Sequence, residues 1–384
     1  MGKEAGVYIH VPFCSGVCDY CDFYSIPVKS DDKRLDQFVD LILKDLEASL
    51  AALGISHVPT VYIGGGTPSV LGAVRLDRLL EGVGALQPGE FTLEANPESA
   101  DGELLRVCRD RGVTRLSLGV QSFHEPSRRA VHRVGESALL PDRIGLAAEI
   151  FGDALSLDLM TGLPFQNEYI LHKDIEKALS YGPGHLSLYS LTMEEGTPLA
   201  AAVGQGNCPL PEDDEADRLW IAGRNTLESA GYAQYEVSNF SRPGKEARHN
   251  IRYWRMESWL GLGPGGSGTL VDDETGAAVR RTCKADLNLW LCRDNSPPYT
   301  EEILDRQTLI KESILMGFRY LKGPDTALFK KRFHRPLENL IPQTLRRWES
   351  RGLLQKKPLG LTKGGLLFLN TFLIEAFTEL IHKE

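Results

Sequence analysis

The sequence contains no run of about 18 uninterrupted apolar residues, the minimum for a membrane-crossing helix, so no spanning segment is expected. Nor does it open with an apolar signal region. The first six residues read M-G-K-E-A-G, and Gly6 stands where a myristoylation motif wants Ser or Thr. Both absences point to a cytoplasmic protein, with any membrane contact peripheral. Cysteine is scarce: seven in 384 residues, an odd number with three clustered, which is not the pattern of a disulfide framework. Positive charge is not in surplus, and the net −9 argues against a general nucleic-acid binder. There is no internal repeat and no low-complexity tract.

What is present is ordinary for a globular chain, 42% apolar and 25% charged, and the length suggests about two or three domains. The charge is uneven. Between Thr326 and Gly365, ten Lys or Arg face only Glu338 and Glu349, a local +8 that leaves about −17 for the rest. The C-terminal region therefore presents a separate surface, suited to an acidic partner.

From Gly6 to about Thr192, short β-rich runs alternate with helical patterns. The expected strands are Gly6–Val11, Thr60–Ile63, Phe91–Glu94, Arg115–Val120, Leu155–Leu159 and Leu186–Leu191. Between them, Asp36–Leu50 sets Phe38, Leu41, Ile42 and Leu46 at helical spacing, and Leu76–Leu86 and Leu104–Arg111 read likewise. Strands separated by helices predict a parallel sheet with crossover helices. Six such units are two short of a closed barrel, so the expected fold is α/β, an open (β/α)6 partial TIM barrel. Beyond it, Leu219–Ala230 reads as a helix, Tyr232–Phe240 as extended, and Gly261–Gly268 as a glycine-rich turn. Glu301–Leu321 and Leu340–Gly352 read as helices, followed by a hairpin at K-P-L-G-L-T-K-G-G and a last helix Leu366–Ile381. That order predicts a mostly helical, winged-helix-like C-terminal domain. The expected division is 1–235 for the partial barrel, 236–298 for a connecting segment, and 299–384 for the C-terminal domain.

The strand ends carry chemistry. Cys14 follows the first strand, Gly64-Gly65-Gly66 the second, and Glu94 ends the third; Gln121 follows the fourth, Asp158 ends the fifth, and Thr192 follows the sixth. In barrels the C-terminal strand ends form one rim, where active sites lie. Buried in strand interiors, such residues would need partners.

Cys14, Cys18 and Cys21 form a C-x3-C-x2-C loop. Thiolates are soft ligands that favour zinc, copper(I) and iron–sulfur clusters. A structural zinc site ordinarily adds a fourth Cys or His, and a cubane cluster takes four cysteines. Here the local count stops at three, which leaves one corner of the centre open. With Tyr20 before the third cysteine, the motif resembles the radical S-adenosylmethionine (SAM) superfamily. The flanking Y-I-H-V-P-F-C and C-D-F-Y-S narrow the resemblance to the branch of HemN-type coproporphyrinogen III dehydrogenases and HemW-type haem chaperones. The resemblance covers most of the chain, from Tyr8 to the C-terminal helix.

That resemblance implies that Cys14, Cys18 and Cys21 hold a [4Fe–4S] cluster whose fourth iron is chelated by SAM. It places Tyr8, Gly65, Gly66 and Thr67 in the SAM pocket, glycine permitting close backbone approach. Glu94 in E-A-N-P, Gln121 in G-V-Q-S-F, Arg133 in V-H-R and Asp158 in D-L-M-T-G-L-P match further positions around SAM, and Thr192 follows by spacing. Carboxylates suit ribose hydroxyls, and Arg133 suits the SAM carboxylate. In H-N-x-x-Y-W, a helix would set His249 and Tyr253 on one face at i and i+4. A lone His beside aromatics is ordinarily packing. The motif is nonetheless implicated in haem binding in HemW-type chaperones, so the resemblance implies His249 as an iron ligand with Tyr253 and Trp254 against the macrocycle.

Within the branch, the dehydrogenases carry a further cysteine where Phe23 stands here, and a substantial extension before the cluster motif, whereas this chain starts seven residues before Tyr8. With H-N-x-x-Y-W, these differences favour the chaperone subgroup. Gly266-Ser267 departs from the pair, commonly Ala-His, found after G-L-G. The expected function is radical SAM haem chaperoning, binding cluster, SAM and haem and delivering haem to a client haemoprotein. The expected electron donor is a reductant such as flavodoxin or ferredoxin, and the basic C-terminal surface could meet haem propionates. The alternative is radical oxidative decarboxylation of coproporphyrinogen III. Cys108 is expected in the core; Cys208, Cys283 and Cys292 show no partner pattern, and His10 is left between a core and a barrel-interior role.

Overall fold

The computed structural model of the chain describes residues 3–293 and 297–381. All six expected parallel strands form, at Gly6–Val11, Thr60–Gly65, Glu90–Ala95, Arg115–Gln121, Leu155–Thr161 and His185–Ser190. They lie side by side in chain order, each paired in parallel with the next. The alternation of polar and apolar residues that marks them buries Val7, Ile9, Val61, Ile63, Leu93, Leu116, Leu118, Leu157 and Leu186 in one core. Helices Arg34–Leu53, Gly72–Gly84, Gly102–Asp110, Leu140–Phe151 and Glu168–Leu179 fill the crossovers. Two start at side-chain caps: Asp101 accepts from the Leu104 N–H, and Asn167 from the Ile170 N–H. This is an open (β/α)6 arrangement, as the strand–helix alternation predicts.

The sheet extends past both ends of that array, to twelve strands among the described residues. Asn239–Ser241 runs antiparallel to the sixth strand. At the other end Trp259–Leu262 pairs in parallel with Gly6–Val11, setting Gly261 opposite Tyr8. An antiparallel meander follows through Ser267–Asp272, Ala277–Cys283 and Tyr299–Leu304. The glycine-rich turn is thus the bend of a hairpin whose arms belong to the main sheet, and Leu260, Leu262, Cys283 and Trp290 join the barrel core.

The helical expectation for residues 301–304 is corrected by this meander. Tyr299–Leu304 is an edge strand, because Ala277–Cys283 offers it backbone partners along its whole length and Arg281 pairs with Glu301 at 3.0 Å. The helix begins only at Arg306, capped by Asp305 through the Thr308 N–H. A second core gathers Met256, Ala278 and Leu304 with Phe318, Trp348 and Phe372 from the C-terminal helices. The hairpin Leu354–Lys356 with Leu359–Leu361 lies ahead of the final helix Leu369–Ile381. Among the described residues, no helix is long and apolar enough to cross a membrane.

Candidate functional site

The cysteine loop is tied down at its base. Phe13–Cys14 pairs with Ile26–Pro27, so residues 15–25 form a closed excursion from the end of the first strand. The base rests on the glycine stretch: Gly66 N–H donates to the Val11 carbonyl at 2.8 Å and Thr67 N–H to the Phe13 carbonyl at 2.6 Å. A Cβ on Gly66 would stand 2.5 Å from the Phe13 carbonyl oxygen, and one on Gly65, at φ +108°, 2.7 Å from the His10 ring. Glycine is needed here because two backbones touch.

Cys14 and Cys18 are buried and Cys21 is partly exposed. Burial raises the Cys14 thiol against the opposing hydrogen bonds from Thr67 and Ser25, and pushes the Cys21 thiol up to about 11. All three line a cavity of about 380 Å³ together with Gly65, Gly66, Thr67, Glu94, Gln121, Arg133, Asp158 and Thr192. Eleven of the twelve residues expected for cluster and SAM are therefore brought to one space. The twelfth, Tyr8, is not among its walls; its hydroxyl bonds His10 Nδ1 at 3.0 Å and it lines a neighbouring cleft. The thiols share the cavity without sharing a point: among the described residues no three His, Cys, Asp or Glu are grouped to hold a metal ion.

A polar relay connects two of the thiols. Cys14 Sγ lies 3.3 Å from Thr67 Oγ1, which accepts from Asn96 Nδ2 at 3.0 Å. Asn96 Oδ1 in turn accepts from Arg133 Nη2 at 2.7 Å, and Arg133 Nη1 reaches Cys18 Sγ at 3.6 Å. Sequence reasoning singles out Glu94 in E-A-N-P and not Asn96, whose signal is an amide one step past a strand end.

The carboxylates serve the pocket's frame. Glu94 accepts from the Tyr62 hydroxyl and, at 3.3 Å, from the Gly65 N–H. Burial pushes its carboxyl up to about 7 against the pull of Tyr62, with the Asp158 charge adding to the rise. Asp158 accepts from Ser117 Oγ at 3.1 and 3.2 Å, and burial raises its carboxyl as well. Gln121 sits at a register shift that ends the fourth strand, with φ +67°, an uncommon value for a side-chain-bearing residue. Its Oε1 is buried without a partner, as is Arg133 Nε. Buried polar atoms are rarely left unpaired, so the pocket holds hydrogen-bonding capacity that a polar ligand could take up. Thr192 lies exposed on the rim.

The H-N-x-x-Y-W residues are placed differently. They form the helix Arg248–Trp254, whose first N–H groups are held by the Glu90 carboxylate at 2.8 Å. His249 is 0% exposed. Its Nδ1 bonds Thr60 Oγ1 and its Nε2 the Tyr253 hydroxyl, both at 2.8 Å, so neither nitrogen is free in this arrangement. Trp254 faces the C-terminal helices, under the Arg319 guanidinium 5.5 Å from its ring. Tyr253 lines the cleft that Tyr8 also lines, and Trp254 a separate small space against Ser313 and Phe329. His10 is buried, with Nε2 on the Tyr24 carbonyl at 2.9 Å, and Cys108 lies in the core as expected.

Comparison with known proteins accords with this construction. Residues 8–178 match the Radical SAM superfamily and residues 304–368 the HemN C-terminal domain. The chain is 31% identical to "Heme chaperone HemW" of Bacillus subtilis (strain 168) over 354 residues, 90% of this chain and 92% of that protein. It is 40% identical to the Mycobacterium tuberculosis protein of the same name over 276 residues, 70% of each chain. Among solved structures, Escherichia coli HemN, described as a coproporphyrinogen III oxidase and radical SAM enzyme, superposes with a TM-score of 0.79 at 20% identity, over 98% of this chain and 90% of that one; this likeness concerns the fold. Membership of the superfamily implies a [4Fe–4S] cluster and SAM. The chain belongs to the radical SAM superfamily and, within it, to the family of the HemW haem chaperones.

Proposed function

We propose that this protein binds a [4Fe–4S] cluster through Cys14, Cys18 and Cys21, binds SAM in the adjoining pocket, and carries haem to a client haemoprotein. The observation that carries the reading is the convergence of three thiols, with no fourth, on a cavity whose other walls are strand-end polar groups. A lone zinc ion needs its ligands about a common centre at roughly 2.3 Å, whereas a cubane takes one thiolate per iron. Three thiols with no fourth Cys or His on that cavity suit the second arrangement, one iron being left for a ligand such as SAM.

The donor set fits SAM. Arg133, already leaning on Cys18 and Asn96, supplies a guanidinium for the amino-acid carboxylate. The unpartnered Gln121 Oε1 is an acceptor for a ligand N–H or hydroxyl, and Asp158, held by Ser117, suits a ribose hydroxyl. Gly65 and Gly66 keep the wall flat enough for backbone contact. When bound and reduced, the cluster would supply the electron for SAM cleavage. The residues' part is to orient SAM, exclude water and hold the loop against the sheet.

Haem transport rests on kinship with the HemW chaperones. The alternative is oxidative decarboxylation of coproporphyrinogen III. One assay separates them: anaerobic turnover of coproporphyrinogen III by cluster-reconstituted protein with SAM and a reductant. We expect no protoporphyrinogen IX, and expect transfer of haem from the loaded protein to an apo-haemoprotein. Formation of protoporphyrinogen IX would make the protein a dehydrogenase despite Phe23. A reconstituted protein that retains fewer than about four irons, or whose cluster spectrum ignores SAM, would remove the radical SAM assignment.

A further inference from the structure

The helix Glu125–Ala130, which leads from the end of the fourth strand to Arg133, buries a charge that the site described above does not use. Arg128 is 2% exposed and does not line the thiol cavity. Its guanidinium donates to four carbonyls. Nη1 reaches Val120 at 2.7 Å and Ser122 at 3.2 Å, and Nη2 reaches Val134 and Gly135, both at 3.0 Å. The first pair brackets Gln121, and the second follows directly on Arg133. The Arg128 carbonyl also accepts the Arg133 N–H at 2.9 Å. One residue thus holds the backbone beside both pocket side chains that keep a buried atom unpartnered, Gln121 at Oε1 and Arg133 at Nε.

Packing alone does not account for this arrangement. Burial, and then the neighbouring Arg133 charge, pull the Arg128 guanidinium below the ordinary arginine range. None of its four hydrogen bonds goes to a carboxylate. The buried Asp174 is engaged elsewhere on the same turn, accepting from Ser122 Oγ at 2.5 Å and from the Phe123 N–H at 2.8 Å. A leucine would fill the space of Arg128 without burying a charge. It could not hold two pairs of carbonyls at a fixed separation, which a planar fork of five donors does. The hold matters most at Gln121, where φ is +67° beside a register shift. A side-chain-bearing residue keeps such a backbone only where its surroundings impose it. Fixing the carbonyls of Val120 and Ser122 imposes it on the residue between them. Fixing Val134 and Gly135 sets the stretch that carries Arg133, whose Nη2 in turn donates to the Gly119 carbonyl of the same strand end. Together the two arginines staple the end of the fourth strand to residues 133–135.

We infer that Arg128 is a positioning residue of the proposed SAM pocket, fixing Gln121 and Arg133 through the four carbonyls beside them. The inference rests on the radical SAM reading above. Its test uses the cluster-reconstituted full-length protein, reduced and anaerobic, with SAM titrated against the cluster's electron paramagnetic resonance spectrum and iron counted per chain. Arg128→Lys keeps the charge and loses the fork. It is expected to retain about four irons and to bind SAM about tenfold more weakly, the order of one charge-assisted hydrogen bond set askew. In an Arg133→Gln protein the same change is expected to add little, because residues that act through one another are not independent. Arg129→Ala removes the adjacent arginine, exposed and paired with Glu125, and is expected to bind SAM as the unmodified protein does. If Arg128→Lys does not retain iron, Arg128→Gln, which buries no charge, is read in its place by the same criteria. Wild-type SAM affinity in the Arg128 variant, losses that multiply in the double variant, or an equal loss in Arg129→Ala would each overturn the positioning role and leave the radical SAM reading intact. An unmodified protein that holds neither cluster nor SAM would remove that reading and this inference together.

Discussion

The cysteine loop and the helix Arg248–Trp254 both carry side chains able to ligate metal, and they dispose of their polar atoms in opposite ways. In the loop, three thiols open onto a cavity, and the atoms behind them are joined in a relay from Thr67 through Asn96 to Arg133. In the helix, His249 has both nitrogens engaged, its backbone N–H held by Glu90 and its ring fully buried. Side chains able to ligate metal can thus serve as a site or as scaffolding, and the direction of their donor atoms decides which. The difference follows from position. The loop leaves the sheet at the C-terminal strand ends, where the chain is free to open into space. The helix packs across the second and third strands, where every buried polar group needs a partner.

The contrast is sharpest in iron content. Cys14→Ala or Cys18→Ala should abolish cluster retention, taking reconstituted protein from about four irons per chain to near zero, whereas His249→Gln should leave the count unchanged. Equal iron loading in the cysteine variants, by colorimetric iron assay, would break the comparison. Next in size is the relay. Asn96→Leu leaves Thr67 and Arg133 without their shared partner, an expected loss of about 1–3 kcal/mol. It should appear as SAM affinity lowered roughly tenfold in a titration of the cluster's electron paramagnetic resonance spectrum. Unaltered SAM affinity would mean that the relay only braces the loop.

On the scaffolding side, Thr60→Val strands His249 Nδ1 and should lower unfolding free energy by about 1–2 kcal/mol in urea melts, with iron loading and SAM affinity intact. Loss of cluster in this variant would show that the two regions are not separable. The smallest effect is a pH slope. Burial holds the His249 imidazole down at about 3 against an ordinary 6.5. The unfolded chain therefore takes up a proton below about pH 6.5 that the native state refuses. The stability this residue confers is intact above that pH and lost as pH falls toward 3. Relative to wild type, His249→Gln should flatten the acid-side slope by up to about 1.4 kcal/mol per pH unit, measured as urea midpoints between pH 7 and 5. Parallel slopes would mean that His249 protonates in place.

Much of this architecture is legible from periodicity alone. Apolar residues at alternating positions in Gly6–Val11 and at helical spacing in Asp36–Leu50 suffice for the strand–helix order, since a half-buried strand and an amphipathic helix impose those periods wherever they occur. The structured ends agree to within a few residues. Residues 301–304 read as helical because E-E-I-L carries the helix formers Glu and Leu, whereas an edge strand takes its backbone partners from Ala277–Cys283, more than fifteen residues upstream. No local pattern reports a partner so distant.

The site divides along the same line. Local spacing determined that Cys14, Cys18 and Cys21 line one cavity, because a short loop cannot keep three thiols apart, and order along the chain determined that six strand ends share a rim. Tertiary structure alone decided that Tyr8 faces the neighbouring cleft, that Asn96 bridges two cysteines otherwise about eighty residues from it, and that His249 is enclosed. Which way a side chain points depends on what the rest of the molecule places beside it, and for Asn96 and His249 those neighbours come from distant segments.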